Sequence, residues 1–187
     1  MTSNKDTIVI LGPTGSGKTR VAIEIAKKIN GEIISADSRA IYKGLDIGTA
    51  KPTPEEQAQI PHWGINLVEP GDRFTVADWK TYAEQKITEI KQRGHVPLVV
   101  GGTGLYIDSL LYNYQFGIKN EADRKEICTN YLIIGVKTTP DELRTRITER
   151  VNKMFDQSLY NETKKAVQKY GWGNQAMKSN IYQFAWR

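Results

Sequence analysis

Cysteine and histidine are scarce in this sequence, with one cysteine, Cys128, and two histidines, His62 and His95, among 187 residues. A single cysteine cannot form an internal disulfide or a cysteine metal cluster, and two histidines argue against a histidine-rich metal site. The sequence also lacks an apolar run long enough to span a bilayer and a charged-then-apolar leader at its start. We therefore expect a cytoplasmic protein that has no membrane partner.

The excess of positive charge is small. Lys and Arg number 26 against 21 Asp and Glu, which gives a net charge of +5, and no compact block of like charges occurs. This balance favours a polyanionic partner only mildly, and a slightly basic solvated surface explains it as well. The length indicates one domain over residues 1–187, and we expect a monomer.

Apolar β-branched runs alternate with segments of helical periodicity along the chain. The predicted strands cover 7–12, 31–37, 62–70, 96–102 and 131–137. The predicted helices cover 18–30, 75–93 and 105–114, and the chain reads as helices after 141. Strands that are apolar on both faces and alternate with helices predict an α/β fold, in which helices cover both faces of a parallel sheet and a helical C-terminal segment follows.

The stretch LGPTGSGKT, residues 11–19, matches G-x-x-x-x-G-K-[ST] from Gly12 to Thr19. It lies between a predicted strand and a predicted helix, so backbone N–H groups and the positive helix end can meet a phosphate together. Lys18 adds a compact charge, and the Thr19 hydroxyl is placed to ligate Mg²⁺. The motif therefore predicts a P-loop NTPase-like domain and a phosphate site. The other members of this site are Pro13, Thr14, Gly15, Ser16 and Gly17.

The phosphate motif leaves the reaction open. A kinase or ATPase normally carries an acidic residue at the tip of another apolar strand, but the strand at 96–102 ends in glycines followed by Thr103. Asp37 stands at the tip of the strand at 31–37. Because parallel strands bring their carboxyl ends to one edge, Asp37, Thr103 and the phosphate loop should face a common crevice. Asp37 could equally be a helix cap or a metal-holding acid.

Five blocks of sequence resemble the tRNA dimethylallyltransferases, also called tRNA isopentenyltransferases. In order they are GPTGSGKT, SADSRAIYKGLDIGTAKPT, PH at 61–62, LVVGGTGLYIDSLL and LRTRITERVNKM. The resemblance implies transfer of a dimethylallyl group from dimethylallyl diphosphate to N6 of the adenosine beside a tRNA anticodon, with release of diphosphate. It thus implies tRNA and dimethylallyl diphosphate as partners and Mg²⁺ as cofactor.

The resemblance also implies roles for individual residues. Thr14 to Thr19 would hold the diphosphate, and Asp37 would accept a hydrogen bond or proton from the N6 amine. Arg146 and Arg150 match paired arginines of the family, although the residues alone would favour a solvated helix face. The implied catalytic residues are Asp37, Lys18, Thr103 and Arg146. The implied tRNA contacts are Asp37, Ser38, Arg39, Ala40, Thr103 and Arg124. Aromatic residues that could stack on a base, or simply pack, are Tyr42, Phe74, Trp79 and Tyr106.

The sequence departs from the family around residues 125–131. Roughly half a dozen residues stand where the family has a long helical insertion that grips the anticodon stem. Two other hypotheses therefore stay open: prenylation of free AMP, ADP or ATP, as in cytokinin formation, and a non-catalytic nucleotide- or RNA-binding remnant. A small-molecule kinase is disfavoured by the glycine–threonine strand tip.

Overall fold

The computed structural model describes residues 6–116 and 130–186. The strands are β1 (Thr7–Leu11), β2 (Gly31–Ala36), β3 (His62–Trp63), β4 (Val96–Gly101) and β5 (Tyr131–Gly135). The helices are α1 (Lys18–Ile29), α2 (Pro54–Gln59), α3 (Val76–Gln92), α4 (Gly104–Leu111), α5 (Pro140–Asp156), α6 (Leu159–Tyr170) and α7 (Asn180–Trp186). The strands form one parallel sheet in the order β3-β2-β4-β1-β5. The predicted α/β class and the helical C-terminal segment are confirmed.

The sheet separates two apolar clusters, because successive residues of a strand point to opposite faces. On one face, Val9, Ile34 and Val99 pack with α3 and α4. On the other face, Ile10, Ile33 and Leu98 pack with α1. Burying each such side chain stabilises the fold by about 1.5–3 kcal/mol relative to leaving it exposed. The central strands are therefore fixed by packing on both faces of the sheet.

Two local predictions need correction. The strand expected over 62–70 ends at Trp63, because Gly64 and Asn66 have positive φ values of 80° and 54° that turn the chain out of the ladder. Helix α2 was not predicted, although Thr53 and Glu56 form a reciprocal capping box at its start.

The carboxyl ends of three strands lie level with one another. Gly101 at the end of β4 pairs with Leu11 of β1 on one side and with Ala36 of β2 on the other. A Cβ added at Gly101 would lie 2.1 Å from the Ala36 carbonyl oxygen, so only glycine permits this close approach. The segments that follow these strands therefore begin side by side.

The C-terminal helices pack on the segment that follows β2. Ile41 and Leu45 of that segment form a third buried cluster with Met154 of α5, Leu159 of α6 and Tyr182 of α7. This packing brings α5 to α7 over the same edge of the sheet. Within the ranges described, none of the helices has the length and apolar character needed to cross a membrane.

Candidate active site

The phosphate loop connects β1 to α1 in a tight turn. Gly15 and Gly17 have φ values of 84° and 86°, which only glycine adopts without strain, and the Ser16 amide donates to the Pro13 carbonyl at 3.1 Å. Gly102 lies against the loop, since an added Cβ there would be 3.3 Å from the Gly12 carbonyl oxygen. The loop thus has the left-handed glycines that are typical of an anion nest.

Three cations converge on this loop. Arg146 donates to the Ser16 carbonyl at 3.4 Å, and Lys18 donates to the Pro13 carbonyl at 3.4 Å. Burial lowers the pKa values of Lys18 and Arg150, and the nearby Asp37 carboxylate opposes the decrease in both. Partly desolvated cations of this kind favour the arrival of an anion.

Two polar atoms at the loop are also left without partners. Among residues 6–116 and 130–186, the buried Oγ of Ser16 and Nε of Arg150 have no hydrogen-bond partner. Buried polar atoms are normally satisfied by protein, water or ligand. An anion bound between the loop and α5 would supply acceptors at this place.

Asp37 follows β2 and starts a turn. One of its carboxylate oxygens, Oδ1, accepts from the Arg39 amide at 2.8 Å. No helix begins here, since residues 38–42 form a turn and an isolated bridge, so the helix-cap alternative for Asp37 is not supported. Thr103, at the tip of β4, accepts from the Ser38 amide at 3.0 Å and donates to the Ser38 hydroxyl at 3.3 Å. Thr103 therefore ties the turn after β2 to β4.

One cavity of about 430 Å³ joins these parts. Its lining includes the predicted residues Thr14, Lys18, Thr19, Asp37, Ser38, Arg39, Ala40, Thr103 and Arg150. A smaller adjoining pocket contains Arg146 together with Gly15, Gly17, Lys18, Thr19 and Arg150. The expected common crevice is confirmed: the carboxylate, the hydroxyl and the phosphate loop share it. Arg124 lies outside the described residues.

Part of the cavity wall was not assigned from the sequence. It includes the loop Gly48–Pro52, the side chains of Ile33, Ser35, His62 and Val100, and Ser179 and Ile181 near the C-terminus. The GLDIGTAKPT and PH blocks contain some of these residues, but the sequence did not indicate that they line a cavity. Burial lowers the pKa of His62, whose Nδ1 lies 2.7 Å from the Ile60 carbonyl oxygen.

The aromatic candidates are mostly packing residues. Trp79 and Tyr106 stack on each other with ring centroids 4.6 Å apart, and both are buried, as is Tyr42. Burial raises the pKa of Tyr106 to about 12. Phe74 is half-buried and packs against two of the core clusters. Stacking of a substrate base on the three buried rings would require the core to open.

The donors at the site suit magnesium held mainly by phosphate. In the described part of the chain, no group of three or more His, Cys, Asp or Glu residues could hold a metal ion. Thr19 nevertheless lines the cavity and carries a hydroxyl oxygen. Because Mg²⁺ is commonly bound by one or two protein oxygens together with phosphate oxygens and water, this sparse donor set fits it.

Two family models match the chain. The model described as IPP transferase matches residues 40–130 and 118–187, and the one described as Isopentenyl transferase matches residues 5–63. The chain is 43% identical over 160 residues to a tRNA dimethylallyltransferase of Macrococcus caseolyticus, covering 86% of this chain and 50% of that protein. A Staphylococcus aureus tRNA dimethylallyltransferase is 56% identical over 116 residues, which cover 62% of this chain and 37% of that one. The chain thus spans half or less of the length of these curated relatives.

Solved structures agree with the sequence matches. The tRNA delta(2)-isopentenylpyrophosphate transferase of Staphylococcus epidermidis superposes with a TM-score of 0.84 at 34% identity, covering 96% of this chain and 78% of that one. The tRNA isopentenylpyrophosphate transferase of Bacillus halodurans gives a TM-score of 0.88 at 29% identity, with 97% and 76% coverage. Each of these two matches covers nearly the whole chain. The chain therefore belongs to the IPP transferase family.

Proposed function

We propose that this chain carries a prenyl-transfer site that moves a dimethylallyl group from dimethylallyl diphosphate to N6 of the adenosine beside a tRNA anticodon. The observation that carries the proposal is the single cavity in which the phosphate loop with Lys18 faces the Asp37 carboxylate. A diphosphate leaving group needs cationic and N–H donors, an amine nucleophile needs a proton acceptor, and both must border the same cavity. The family's tRNA-modifying relatives support the choice of acceptor.

The phosphate loop and its cations stabilise the departing diphosphate. As the bond between the allyl carbon and the diphosphate oxygen breaks, its electron pair goes to that oxygen, and negative charge grows there. Lys18, Arg146 and Arg150 converge on this loop and lie ready to compensate the charge. Preorganised groups of this kind usually supply the largest part of an enzyme's electrostatic catalysis.

Asp37 acts on the amine. The N6 nitrogen forms the new bond to the allyl carbon, and the proton that it loses passes to the Asp37 carboxylate. Within the described chain, Oδ1 of Asp37 is engaged by the Arg39 amide, whereas Oδ2 accepts no hydrogen bond and is available to the amine. Thr103 fixes the turn that carries this carboxylate through its two bonds to Ser38.

Magnesium, held through the Thr19 hydroxyl, would neutralise charge on the diphosphate when bound. On the acceptor side, Ser38, Arg39 and Ala40 line the cavity next to Asp37, and Arg39 is braced by a 3.0 Å bond from its guanidinium to the Gln175 carbonyl. We propose this turn as the contact surface for an adenosine that has left its stack.

The acceptor assay tests the proposal. The chain is incubated with labelled dimethylallyl diphosphate and Mg²⁺ and with an anticodon stem–loop RNA, whole tRNA or AMP in parallel. We expect label in the two RNAs and none in AMP, and we expect transfer to fall steeply with added salt, because RNA affinity depends on phosphate contacts. If only AMP became labelled, the acceptor would be a free nucleotide and not tRNA. Pyrophosphate binding without transfer to any acceptor would refute the enzymatic proposal.

A further inference from the structure

The loop between Leu45 and Pro52 forms part of the wall of the cavity that the phosphate loop also lines. Gly48, Thr49, Ala50, Lys51 and Pro52 all line it. The loop has no regular secondary structure of its own, so its position depends on side chains that hold it. Two charged side chains do so, Lys51 within the loop and Glu162 on α6.

Lys51 holds the loop from within. Its side chain is 2% exposed, and its ammonium group donates to Asp46 at 2.7 Å, to Asn66 at 2.6 Å and to the Tyr42 carbonyl. These three acceptors satisfy all three donors of an ammonium group. The Lys51 ammonium group is therefore fully engaged within the protein and has no donor left for a substrate.

Glu162 of α6 holds the loop from outside, through three backbone amides of the loop. Its Oε2 accepts from the Asp46 amide at 2.7 Å and the Ile47 amide at 2.8 Å. Its Oε1 accepts from the Gly48 amide at 2.9 Å and from the Tyr182 hydroxyl at 3.0 Å. Four donors thus converge on one carboxylate, which is the number of acceptor positions that it offers.

Only an ionised carboxylate meets this set of donors. A glutamine at the same place would turn its NH₂ group toward at least one backbone amide and leave that amide unsatisfied. Gly48 also packs tightly against Tyr182, because a Cβ added at Gly48 would lie 2.6 Å from the Tyr182 ring. Burial and the neighbouring Glu162 raise the pKa of Tyr182, so its hydroxyl remains a donor.

We propose that Glu162 is a positioning residue for prenyl transfer: from α6, its carboxylate fixes the backbone at residues 46–48 and thereby sets the acceptor-side wall of the cavity. The inference rests on the proposed function. Glu162 does not line the cavity and touches no reacting atom. The loop that it holds is bonded through Lys51 to the Tyr42 carbonyl, in the segment that continues the Asp37 turn, and it lines the cavity together with that turn. The phosphate loop is built by β1 and α1 and makes no contact with this carboxylate in the described structure.

The test compares Glu162→Gln with Glu24→Gln, a matched control at an exposed position on α1, where Glu24 forms an ion pair with Lys27 alone among the described residues. In Glu162→Gln we expect the KM for a stem–loop RNA to rise about tenfold or more, with kcat and the pyrophosphate Kd within about threefold of wild type. Amide hydrogen exchange at residues 46–48 should accelerate. Tyr182→Phe removes one of the four donors and should give a smaller rise in KM, which keeps the test open if Glu162→Gln folds poorly.

The outcomes separate the inference from the proposed function. An unchanged KM, or an equal loss of RNA and pyrophosphate affinity, would overturn the inference while transfer by the wild type stands. RNA affinity is measured in parallel without dimethylallyl diphosphate. A wild type that binds the RNA and transfers nothing would refute the proposed function, and the RNA affinity of Glu162→Gln would then decide the inference. A wild type that binds no RNA would refute both.

Discussion

Replacing Asp37 by asparagine isolates the proton-accepting role of its carboxylate. The bond from the Arg39 amide to Oδ1, 2.8 Å long, needs only an oxygen acceptor, and the asparagine amide supplies one. The turn after β2 should therefore survive, and the free energy of unfolding should change by less than about 0.5 kcal/mol. Alanine would lose this bond as well, which costs about a further 1 kcal/mol.

The effect on the reaction should be much larger than the effect on folding. A positioned general base contributes about 10²–10⁴ in rate, equivalent to about 3–5 kcal/mol of barrier. We expect Asp37→Asn to lower kcat by that factor. Pyrophosphate affinity should stay the same or increase, because the substitution removes a negative charge from the cavity that contains Lys18 and Arg150.

The assay combines single-turnover transfer of the labelled allyl group to stem–loop RNA with calorimetric titration of pyrophosphate. Ser38→Ala is a useful companion, since it keeps the backbone amide that donates to Thr103 and removes only the hydroxyl contact. The proton-accepting role of Asp37 would be refuted if Asp37→Asn retained more than about a tenth of the wild-type kcat, or if it lost pyrophosphate affinity.

Three further predictions concern charge, acid stability and close packing. Burial holds the pKa of Lys18 below 10.5, so pyrophosphate affinity should fall as pH rises toward that pKa and Lys18 loses its charge. In Lys18→Arg, calorimetric titration should show the same fall at a higher pH. Identical pH profiles for the wild type and the variant would contradict this prediction. Burial raises the pKa of Glu32, but hydrogen bonds from Arg93, Trp63 and His95 bring it below 4.5. The ionised Glu32 carboxylate therefore stabilises the fold fully above about pH 4.5, and this stabilisation is lost as pH falls through the folded-state pKa. Glu32→Gln should therefore cost about 2–3 kcal/mol in urea unfolding near neutral pH, and a difference that persisted in strong acid would argue against that origin. Gly101→Ala should cost about 3 kcal/mol, because its Cβ would meet the Ala36 carbonyl oxygen at 2.1 Å, whereas Gly104→Ala has no neighbour within 4 Å and should melt like the wild type.

Helices α3 and α1 show how well the spacing of apolar residues predicts which of them are buried. Helical spacing predicts that Val76, Trp79, Ile87 and Ile90 share the apolar face of α3. Trp79, Ile87 and Ile90 are buried there, whereas Val76 in the first turn is half-buried. In α1, Val21, Ile25 and Ile29 have helical spacing, but they are only half-buried, and the centre of the face is formed by Ala22, Ile23 and Ala26. Spacing identifies a helix and its apolar side. How closely that side approaches the sheet depends on side-chain volume at the contact, which the pattern does not contain.

The phosphate loop, the parallel sheet and the shared edge of Asp37 and Thr103 followed from the sequence alone, because each depends on local chemistry or on a general rule of parallel topology. Tertiary structure alone decided that Glu162 reaches the loop at residues 46–48. It also decided that Lys51 is buried and donates to Asp46 and Asn66, and that Ser179 and Ile181 line the cavity. These contacts join residues more than a hundred positions apart, or place a charge inside the protein. Their free energy depends on three-dimensional proximity and desolvation, for which the order of residues along the chain provides no signal.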